Sequence, residues 1–419
     1  MTRPVDLLII GAGPAGMAAA LAAAPSGISI VVLDDNPLPG GQIWRDGPNA
    51  QLPTVATEMR AQLQRYSNIH LHSGTKVVAI AGPKRLLLED AERGWVLGYD
   101  KLILCTGARE LLLPFPGWTL PGVTGAGGLQ ALIKGGVAMS GERIVIAGSG
   151  PLLLASAATA KKNGAEVVRI AEQAGRRAVS GFALGLWRWP NKAIQAMTLA
   201  SAAYRLSAHV IEALGSDRLE AVRMQTGSRV EEIACDRLAC GFSLVPNTEL
   251  GSALGCEVRD RAIVVDEGQA TGLPDHYAAG ECTGFGGSEL AQVEGKIAGL
   301  VAVGRQEQAR AHWPERQRWQ RFADRLNQAF ALDPALKTLA NADTLVCRCE
   351  DVPYAELADH GSWNSAKLTT RCGMGACQGR ICATAAHTLF GWEPPHLRPP
   401  FSPARIATLA CLDDAGTAI

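Results

Sequence analysis

The residues that could most clearly do chemistry are five cysteines between positions 347 and 382. They form a Cys-x-Cys pair and, further along, a group within a glycine-rich segment. The other six of the eleven cysteines are scattered in apolar, strand-like contexts, which is typical of buried structural thiols. Sets of four thiolates hold iron–sulfur clusters or structural zinc. The segment therefore predicts a metal or iron–sulfur centre, and its spacing alone leaves both open.

A glycine-rich motif near the N-terminus could bind the phosphates of a dinucleotide. It reads GAGPAG at residues 11–16, follows the aliphatic run Val5–Ile10 and precedes an Ala- and Leu-rich helical stretch. Gly11 permits a tight turn, Gly13 lets the backbone approach a pyrophosphate, and Gly16 lets helix and strand pack closely. The helix N-terminus offers free N–H groups to the phosphates. The residues expected at this site are Gly11, Gly13, Pro14, Ala15 and Gly16.

An acidic side chain after the second strand limits the nucleotides that this site accepts. The predicted strand Ile28–Leu33 ends at Asp34, 23 residues after Gly11. A carboxylate at this point accepts hydrogen bonds from ribose hydroxyls, and Asp35 is the adjacent alternative. Because a carboxylate repels a 2′-phosphate, the site predicts FAD or NAD and not NADP.

A second βαβ unit begins at the strand Arg143–Ala147 and continues with GSGPLL at residues 148–153. Leu153 stands where a third glycine is usual, and Glu172 follows the second strand of the unit. Two hypotheses follow. The unit is either an NAD site with Glu172 on the ribose, or a Rossmann scaffold that has lost its nucleotide and supports an interface.

Several segments resemble the two-dinucleotide-binding flavoproteins of the glutathione and thioredoxin reductase group. They are Gly40–Ile43, Val77 after the strand-like residues 75–80, Thr106–Ala108 and His276–Glu281. The resemblance implies an α/β fold with FAD in the first site. It places Gly41 and Gln42 along the flavin end, Val77 at the adenine, Thr106 and Gly107 at the pyrophosphate, and Gly280 with Glu281 at the ribityl chain. Glu281 stands where that group usually has Asp, and no redox-active cysteine pair lies in these segments.

The cysteine segment resembles the bacterioferritin-associated-ferredoxin type of [2Fe–2S] domain. That resemblance implies the ligands Cys347, Cys349, Cys377 and Cys382, with Cys372 spare. An alternative set uses Cys372 with Cys377. The second pair is spaced Cys-x4-Cys, where the family usually has Cys-x2-Cys, and zinc remains the rival.

The order of parts predicts five segments. They are an FAD-binding first part (1–114), an inserted NAD-type Rossmann domain (115–245), an FAD-binding second part (246–300), a helical arm (301–343), and a mainly α [2Fe–2S] domain with a tail (344–419).

This order, with the segments Pro39–Arg45, Thr370–Cys382 and Arg398–Pro403, resembles the α subunits of bacterial multi-subunit amine dehydrogenases. That family includes the opine, D-hydroxyproline and dye-linked proline dehydrogenases and hydrogen cyanide synthase. The resemblance implies that a β-subunit flavoprotein of the glycine oxidase or sarcosine oxidase type oxidises the C–N bond, while this chain transfers electrons. Some relatives hold an FMN at a subunit interface, and a small γ ferredoxin-like subunit is a further expected partner.

Composition excludes other classes of function. Forty basic and forty acidic residues cancel, and no long block of one sign predicts contact with nucleic acid or a charged membrane. No apolar run approaches the ~20 residues of a spanning helix, and the N-terminus lacks a signal-peptide cleavage site. We expect a cytoplasmic protein. Two rival functions remain, a self-contained NADH-dependent FAD/[2Fe–2S] reductase and a partner-binding scaffold with a zinc module.

Overall fold

The computed structural model describes residues 4–393 and 398–414. Its first sheet joins strands from remote parts of the chain. The parallel strands lie in the order Ile69–His72, Ile30–Leu33, Val5–Ile10, Gly94–Leu104 and His276–Ala278. The strands Ile30–Leu33 and Val5–Ile10 carry aliphatic side chains that are buried on both faces, as a parallel sheet requires. The predicted strand 28–33 begins two residues late, at Ile30.

The long strand Gly94–Leu104 also starts an antiparallel extension of this sheet. It pairs with Arg85–Glu89, which pairs with Lys76–Ile80. The helices of this half are Pro14–Ala23, Thr54–Leu63 and Ser288–Ala302. The first and last of them pack at very short range, because a Cβ at Gly295 would lie 2.0 Å from the carbonyl oxygen of Ala15.

The inserted part forms a second parallel sheet. Its strands lie in the order Tyr204–Leu206, Glu166–Glu172, Arg143–Gly148, Arg237–Gly241 and Val123–Gly125. Its helices are Ala126–Lys134, Pro151–Lys162, Arg176–Gly185 and Pro190–Thr198. A three-stranded antiparallel sheet consists of Ala208–Leu214, Ala221–Thr226 and Arg229–Ala234.

Two antiparallel strands, Ala108–Leu111 and Ser243–Pro246, connect the two halves. The helix Glu249–Leu254 and the short strands Val258–Arg259 and Ala262–Ile263 then lead back to the first sheet.

A helical arm follows the helix Ser288–Ala302. It contains the helices Gln306–Arg310 and Trp313–Ala329 and a 3-10 turn at Pro334–Thr338. Phe322 packs against Phe182 and Trp189 of the inserted part, with ring centroids 5.9 and 5.4 Å apart. The arm therefore connects the inserted part to the half of the chain that contains the first sheet.

The cysteine-rich part is small and mainly helical. It contains the strands Leu345–Cys347 and Val352–Pro353 and the helices Tyr354–Ala358, Trp363–Thr370 and Cys382–Phe390. The last helix, Ile406–Asp414, packs instead on the first sheet, where Arg405 N–H donates to the carboxylate of Glu89 at 2.8 Å. None of the helices in the described part of the chain is both long and apolar enough to cross a membrane.

The predicted fold class is confirmed. The architecture is that of a two-dinucleotide-binding α/β flavoprotein with an added cysteine-rich part.

Candidate cofactor sites

The first glycine-rich turn has the geometry of a dinucleotide-binding loop. Gly11 has φ +104°, and a Cβ there would lie 2.2 Å from the carbonyl oxygen of Cys105. A Cβ at Gly16 would lie 1.8 Å from the carbonyl oxygen of Gly11. Both positions therefore require glycine. The helix Pro14–Ala23 starts directly after Gly13, so its free N–H groups lie at the turn.

The two neighbouring acids at this turn have different surroundings. Asp34 is buried, and its carboxylate accepts from Ala12 N–H at 2.6 Å and from Asn36 N–H at 2.8 Å. Asp35 is exposed and accepts from the Asn36 side-chain amide at 2.9 Å. Asp34 therefore holds the loop together, and Asp35 has the freer carboxylate.

The loop after these acids lies against the glycine turn. Gly40 N–H donates to the carbonyl of Ala12 at 2.8 Å. Gly41 has φ +59°, and a Cβ there would lie 3.0 Å from Cα of Gly13. Gln42 accepts from the Arg45 guanidinium at 2.7 Å. The structure thus brings Gly41 to the first turn, with Gln42 next to it in the chain, and their place along the flavin end stays a prediction.

The remote segment Gly280–Glu281 reaches the same turn. Gly280 has φ +79°, and a Cβ there would lie 2.8 Å from Cβ of Ala15. Burial raises the pKa of Glu281, and its carboxylate makes no hydrogen bond within residues 4–393 and 398–414. Glu281 is half-buried, so a carboxylate that has no partner in the described residues remains available to a ligand hydroxyl. The helices Pro14–Ala23 and Ser288–Ala302 pack closely against each other, and this contact holds the segment in place.

The predicted pyrophosphate and adenine contacts lie at two further strand ends. The Thr106 hydroxyl donates to the carbonyl of Asn247 at 2.6 Å, and Asn247 N–H donates to the carbonyl of Gly107 at 2.9 Å. Val77 lies in the antiparallel extension, and Phe401 N–H donates to the carbonyl of its neighbour Val78 at 2.7 Å. The C-terminal segment therefore borders the predicted adenine position.

Sequence reasoning missed one buried acid beside this site. Glu294 lies on the helix Ser288–Ala302 and is 3% exposed. Its carboxylate accepts from Gly280 N–H at 3.0 Å and lies 3.6 Å from the Arg316 guanidinium on the arm. Burial raises its pKa to about 7, although Arg316 opposes the shift. The available signal was an acid on an otherwise apolar helix face.

The second glycine-rich turn is engaged by its own acid. Glu172 is fully buried. It accepts from Gly150 N–H at 2.7 Å, the Ser149 hydroxyl at 3.0 Å, Ala174 N–H at 2.9 Å and the Tyr204 hydroxyl at 3.2 Å. Each carboxylate oxygen already accepts two hydrogen bonds, so Glu172 has little capacity left for a ribose.

The end of the arm covers this second turn. The carbonyl oxygen of Phe330 lies 3.2 Å from the Ser149 hydroxyl and competes with Glu172 for its single proton. The Gln173 side chain donates to the carbonyl of Ala331 at 2.9 Å and accepts from Asp333 N–H at 2.8 Å. The Phe330 ring lies over Gly150, where an added Cβ would approach it to 3.8 Å. Residues 330–333 therefore lie over the second glycine-rich turn, with the carbonyl oxygen of Phe330 facing Ser149.

The four predicted metal ligands line one cavity of about 180 Å³. These ligands are Cys347, Cys349, Cys377 and Cys382. Its apolar wall includes Leu112, Trp118 and Ile381 from two parts of the chain. The Trp118 indole N–H donates to the carbonyl of Leu345 at 2.6 Å, which fixes this wall against the first strand of the cysteine-rich part.

Cys372, predicted to be spare, lies close to two of these ligands. The sulfur atoms of Cys347, Cys372 and Cys382 lie within 4.8 Å of one another. Cys349 lies against Gly375, which is in the loop before Cys377. A Cβ added at Gly375 would lie 2.2 Å from the Cβ of Cys349. Three thiols, those of Cys347, Cys372 and Cys382, are therefore close enough to share one metal, and Cys349 and Cys377 line the cavity beside them. The cysteines could hold an iron–sulfur centre or another thiolate-bound metal.

Comparison with known proteins agrees with this architecture. The pyridine nucleotide-disulphide oxidoreductase family matches residues 5–298. An opine oxidase subunit from Agrobacterium tumefaciens is 29% identical, over 99% of this chain and 93% of its own length. The HcnB subunit of hydrogen cyanide synthase from Pseudomonas aeruginosa is 32% identical, over 95% of this chain and 96% of its own length.

Solved structures support the fold. L-proline dehydrogenase from P. horikoshii superposes with a TM-score of 0.68 at 18% identity, covering 97% of this chain and 79% of that one. Thioredoxin reductase from T. acidophilum superposes with a TM-score of 0.56 at 21% identity, covering 72% of this chain and 98% of that one.

The glycine turns and the unpaired Glu281 fit FAD, the nucleotide that the family match implies. The chain is therefore an oxidoreductase of the pyridine nucleotide-disulphide oxidoreductase family, and it belongs with the α subunits of multi-subunit flavin-dependent dehydrogenases such as opine oxidase and hydrogen cyanide synthase.

Proposed function

We propose that the chain is the electron-transferring α subunit of a heteromeric amine dehydrogenase. A partner flavoprotein subunit would oxidise the C–N bond of an amino acid such as D-hydroxyproline, proline or an opine, removing two electrons and two protons to give an imine. The observation that carries the proposal is the closure of the second glycine-rich turn by residues 330–333. A chain that takes electrons from NADH needs that turn open, so this closure supports electron entry from a partner.

The first nucleotide site is proposed to hold FAD, which supplies two-electron and one-electron redox chemistry when bound. The helix beginning at Pro14 would meet the pyrophosphate with its free N–H groups. Glu281 would accept from a ribityl hydroxyl, because its carboxylate has no other partner among the residues that the structure describes. We assign the ribose contact to Asp35 and not to Asp34, since Asp34 is already bound to Ala12 and Asn36.

The cysteine cavity is proposed to hold a [2Fe–2S] cluster on Cys347, Cys349, Cys377 and Cys382. These four side chains line the cavity. The sulfur of Cys372 lies within 4.8 Å of those of Cys347 and Cys382, so the alternative set with Cys372 and Cys377 stays open. The apolar wall of Leu112, Trp118 and Ile381 limits the access of water. Cluster potential depends on solvent exposure and on hydrogen bonds to sulfur, so this wall would help to set it.

The expected partners are a β-subunit flavoprotein of the glycine oxidase type and a small γ ferredoxin-like subunit. An FMN at a subunit interface belongs to the same hypothesis. Relatives named as subunits, including the alpha subunit of sarcosine oxidase from Rhizobium meliloti, support a heteromeric assembly.

Anaerobic mixing tests the direction of electron entry. We expect NADH to leave the flavin absorbance of the isolated chain unchanged. The amino acid together with the β subunit should bleach the flavin. Prompt bleaching of the isolated chain by NADH would contradict the proposal and favour a self-contained reductase.

A further inference from the structure

One surface of the inserted part presents large apolar side chains to solvent. Leu184, Trp187, Ile194 and Met197 are 78, 73, 56 and 69% exposed. They belong to the helices Arg176–Gly185 and Pro190–Thr198 and to the 3-10 turn between them. We call these four residues the 184–197 patch. A concentration of exposed apolar side chains in so short a segment indicates an interaction site.

The inner side of this segment is firmly packed. Leu186 and Trp189 are buried, and the Trp189 ring lies against Phe322 of the arm at 5.4 Å. The helix Pro190–Thr198, in contrast, contributes no buried residue. Ile194 and Met197 are three residues apart on it and therefore share one face. The apolar outer face thus belongs to a well-anchored segment and lacks a covering layer.

The charged residues of this stretch of chain are all positive. Between Glu172 and Glu212 the chain contains no Asp or Glu, although the whole protein has no net charge. Arg176, Arg177 and Arg188 are exposed within this interval. A complementary partner would therefore present an apolar face bordered by carboxylates.

The patch lies next to the flavin side of the molecule. Lys192 forms an ion pair with Glu289 at 2.7 Å. Glu289 is in the first turn of the helix Ser288–Ala302, which follows the Gly280–Glu281 segment. A protein bound at the patch would thus lie on the side of the chain where that helix begins.

We propose that the 184–197 patch binds the amine-oxidising flavoprotein subunit through an apolar face bordered by carboxylates. This inference rests on the proposed function. A basic apolar segment could also bind an anionic membrane, or the patch could bind a second copy of the chain. Its Trp and Met side chains and the neighbouring arginines are of the types enriched at protein interfaces. Its position beside the helix Ser288–Ala302 favours the redox partner.

The test uses the full chain and that β subunit, which are co-expressed and then purified. The variants are Leu184→Glu with Trp187→Glu, compared with Leu368→Glu, whose wild-type side chain is equally exposed at 77%. Sedimentation velocity measures the dissociation constant of the complex. We expect the patch variant to bind about tenfold or more weakly, and Leu368→Glu to bind like wild type. Far-UV circular dichroism and flavin content verify that both variants are folded.

The outcomes separate this inference from the proposed function. Tight binding by a folded patch variant would overturn the inference while leaving the α-subunit function intact. Failure of the wild-type chain to bind the β subunit would overturn both. If the isolated chain floats with phosphatidylglycerol vesicles, or self-associates, and the patch variant abolishes that behaviour without affecting the β subunit, the patch belongs to a membrane or to a second copy.

Discussion

The carboxylate of Glu294 accepts a hydrogen bond from the backbone amide of Gly280 at 3.0 Å. This contact connects the proposed ribityl-binding segment to a helix, and Arg316 extends the connection to the arm, 3.6 Å away. The environment of the cofactor turn therefore depends on a buried titratable group that no glycine motif predicts.

Glu294 should make stability depend on pH. Burial raises its pKa from 4.5 to about 7, so the folded state favours the protonated acid. Its contribution to stability is fully present below about pH 4.5 and is lost as pH rises through about 7. Such a shift corresponds to on the order of 3 kcal/mol. Urea unfolding at pH 5 and pH 8 should show a smaller pH effect for Glu294→Gln than for wild type. Glu289→Gln, on the same helix, should match wild type, and an equal pH effect in all three proteins would contradict the assignment.

The close packing of the two cofactor helices should not tolerate an added methyl group. Gly295→Ala places a Cβ about 2.0 Å from the carbonyl oxygen of Ala15, and we expect a loss of about 1–3 kcal/mol together with reduced flavin content. Gly181→Ala is the matched control, because it lies in a helix with nothing within 4 Å of the new Cβ. It should stabilise the protein by up to about 1 kcal/mol. Thermal unfolding and flavin absorbance measure both effects, and similar behaviour of the two variants would rule out this packing argument.

The two adjacent acids should separate stability from cofactor affinity. Asp34→Ala leaves the Ala12 amide without its buried partner, and we expect a loss of about 1–3 kcal/mol in unfolding experiments. Asp35→Ala should leave the stability of the flavin-free protein nearly unchanged and weaken FAD binding about tenfold. Fluorescence titration of the flavin-free protein with FAD measures the affinity. If Asp34→Ala alone weakens FAD binding and leaves stability unchanged, the roles are reversed.

The cysteine ligands can be distinguished by single substitutions. We expect Cys349→Ser to remove most of the iron and the cluster absorption, because Cys349 lines the cavity. Cys372→Ser should retain iron, and Cys411→Ser, on the tail helix, serves as the control. Iron and acid-labile sulfide analysis decides the outcome. Loss of iron from Cys372→Ser would favour the alternative ligand set, and zinc in the wild-type protein would exclude the cluster.

The sequence predicted local chemistry better than it predicted contacts between remote segments. The glycines at 11 and 16 were predictable because they belong to a known local motif, and the close approach of Gly16 to Gly11 lies within one turn. The choice between Asp34 and Asp35 was not, since their spacing from Gly11 differs by one residue and only the fold orients their side chains. The position of Cys372 beside Cys347 likewise depends on how a loop folds back.

The closure of the second turn was the least predictable feature. Phe330 and Ser149 are 181 residues apart, and neither belongs to a motif that anticipates the contact. The sequence left a functional NAD site and an empty scaffold as open alternatives. The contact between Phe330 and Ser149 supports the proposed empty scaffold, and it is a tertiary contact that local propensity does not predict.

The contact between Phe401 and Val78 has a consequence for biosynthesis. Lys76 and Pro403, which flank this contact, are hydrogen-bonded although they are 327 residues apart. Translation proceeds from the N-terminus, so the nascent chain exposes this edge of the sheet until almost its last residues leave the ribosome. The border of the predicted adenine position is therefore complete only after residues 401–403 have been synthesised.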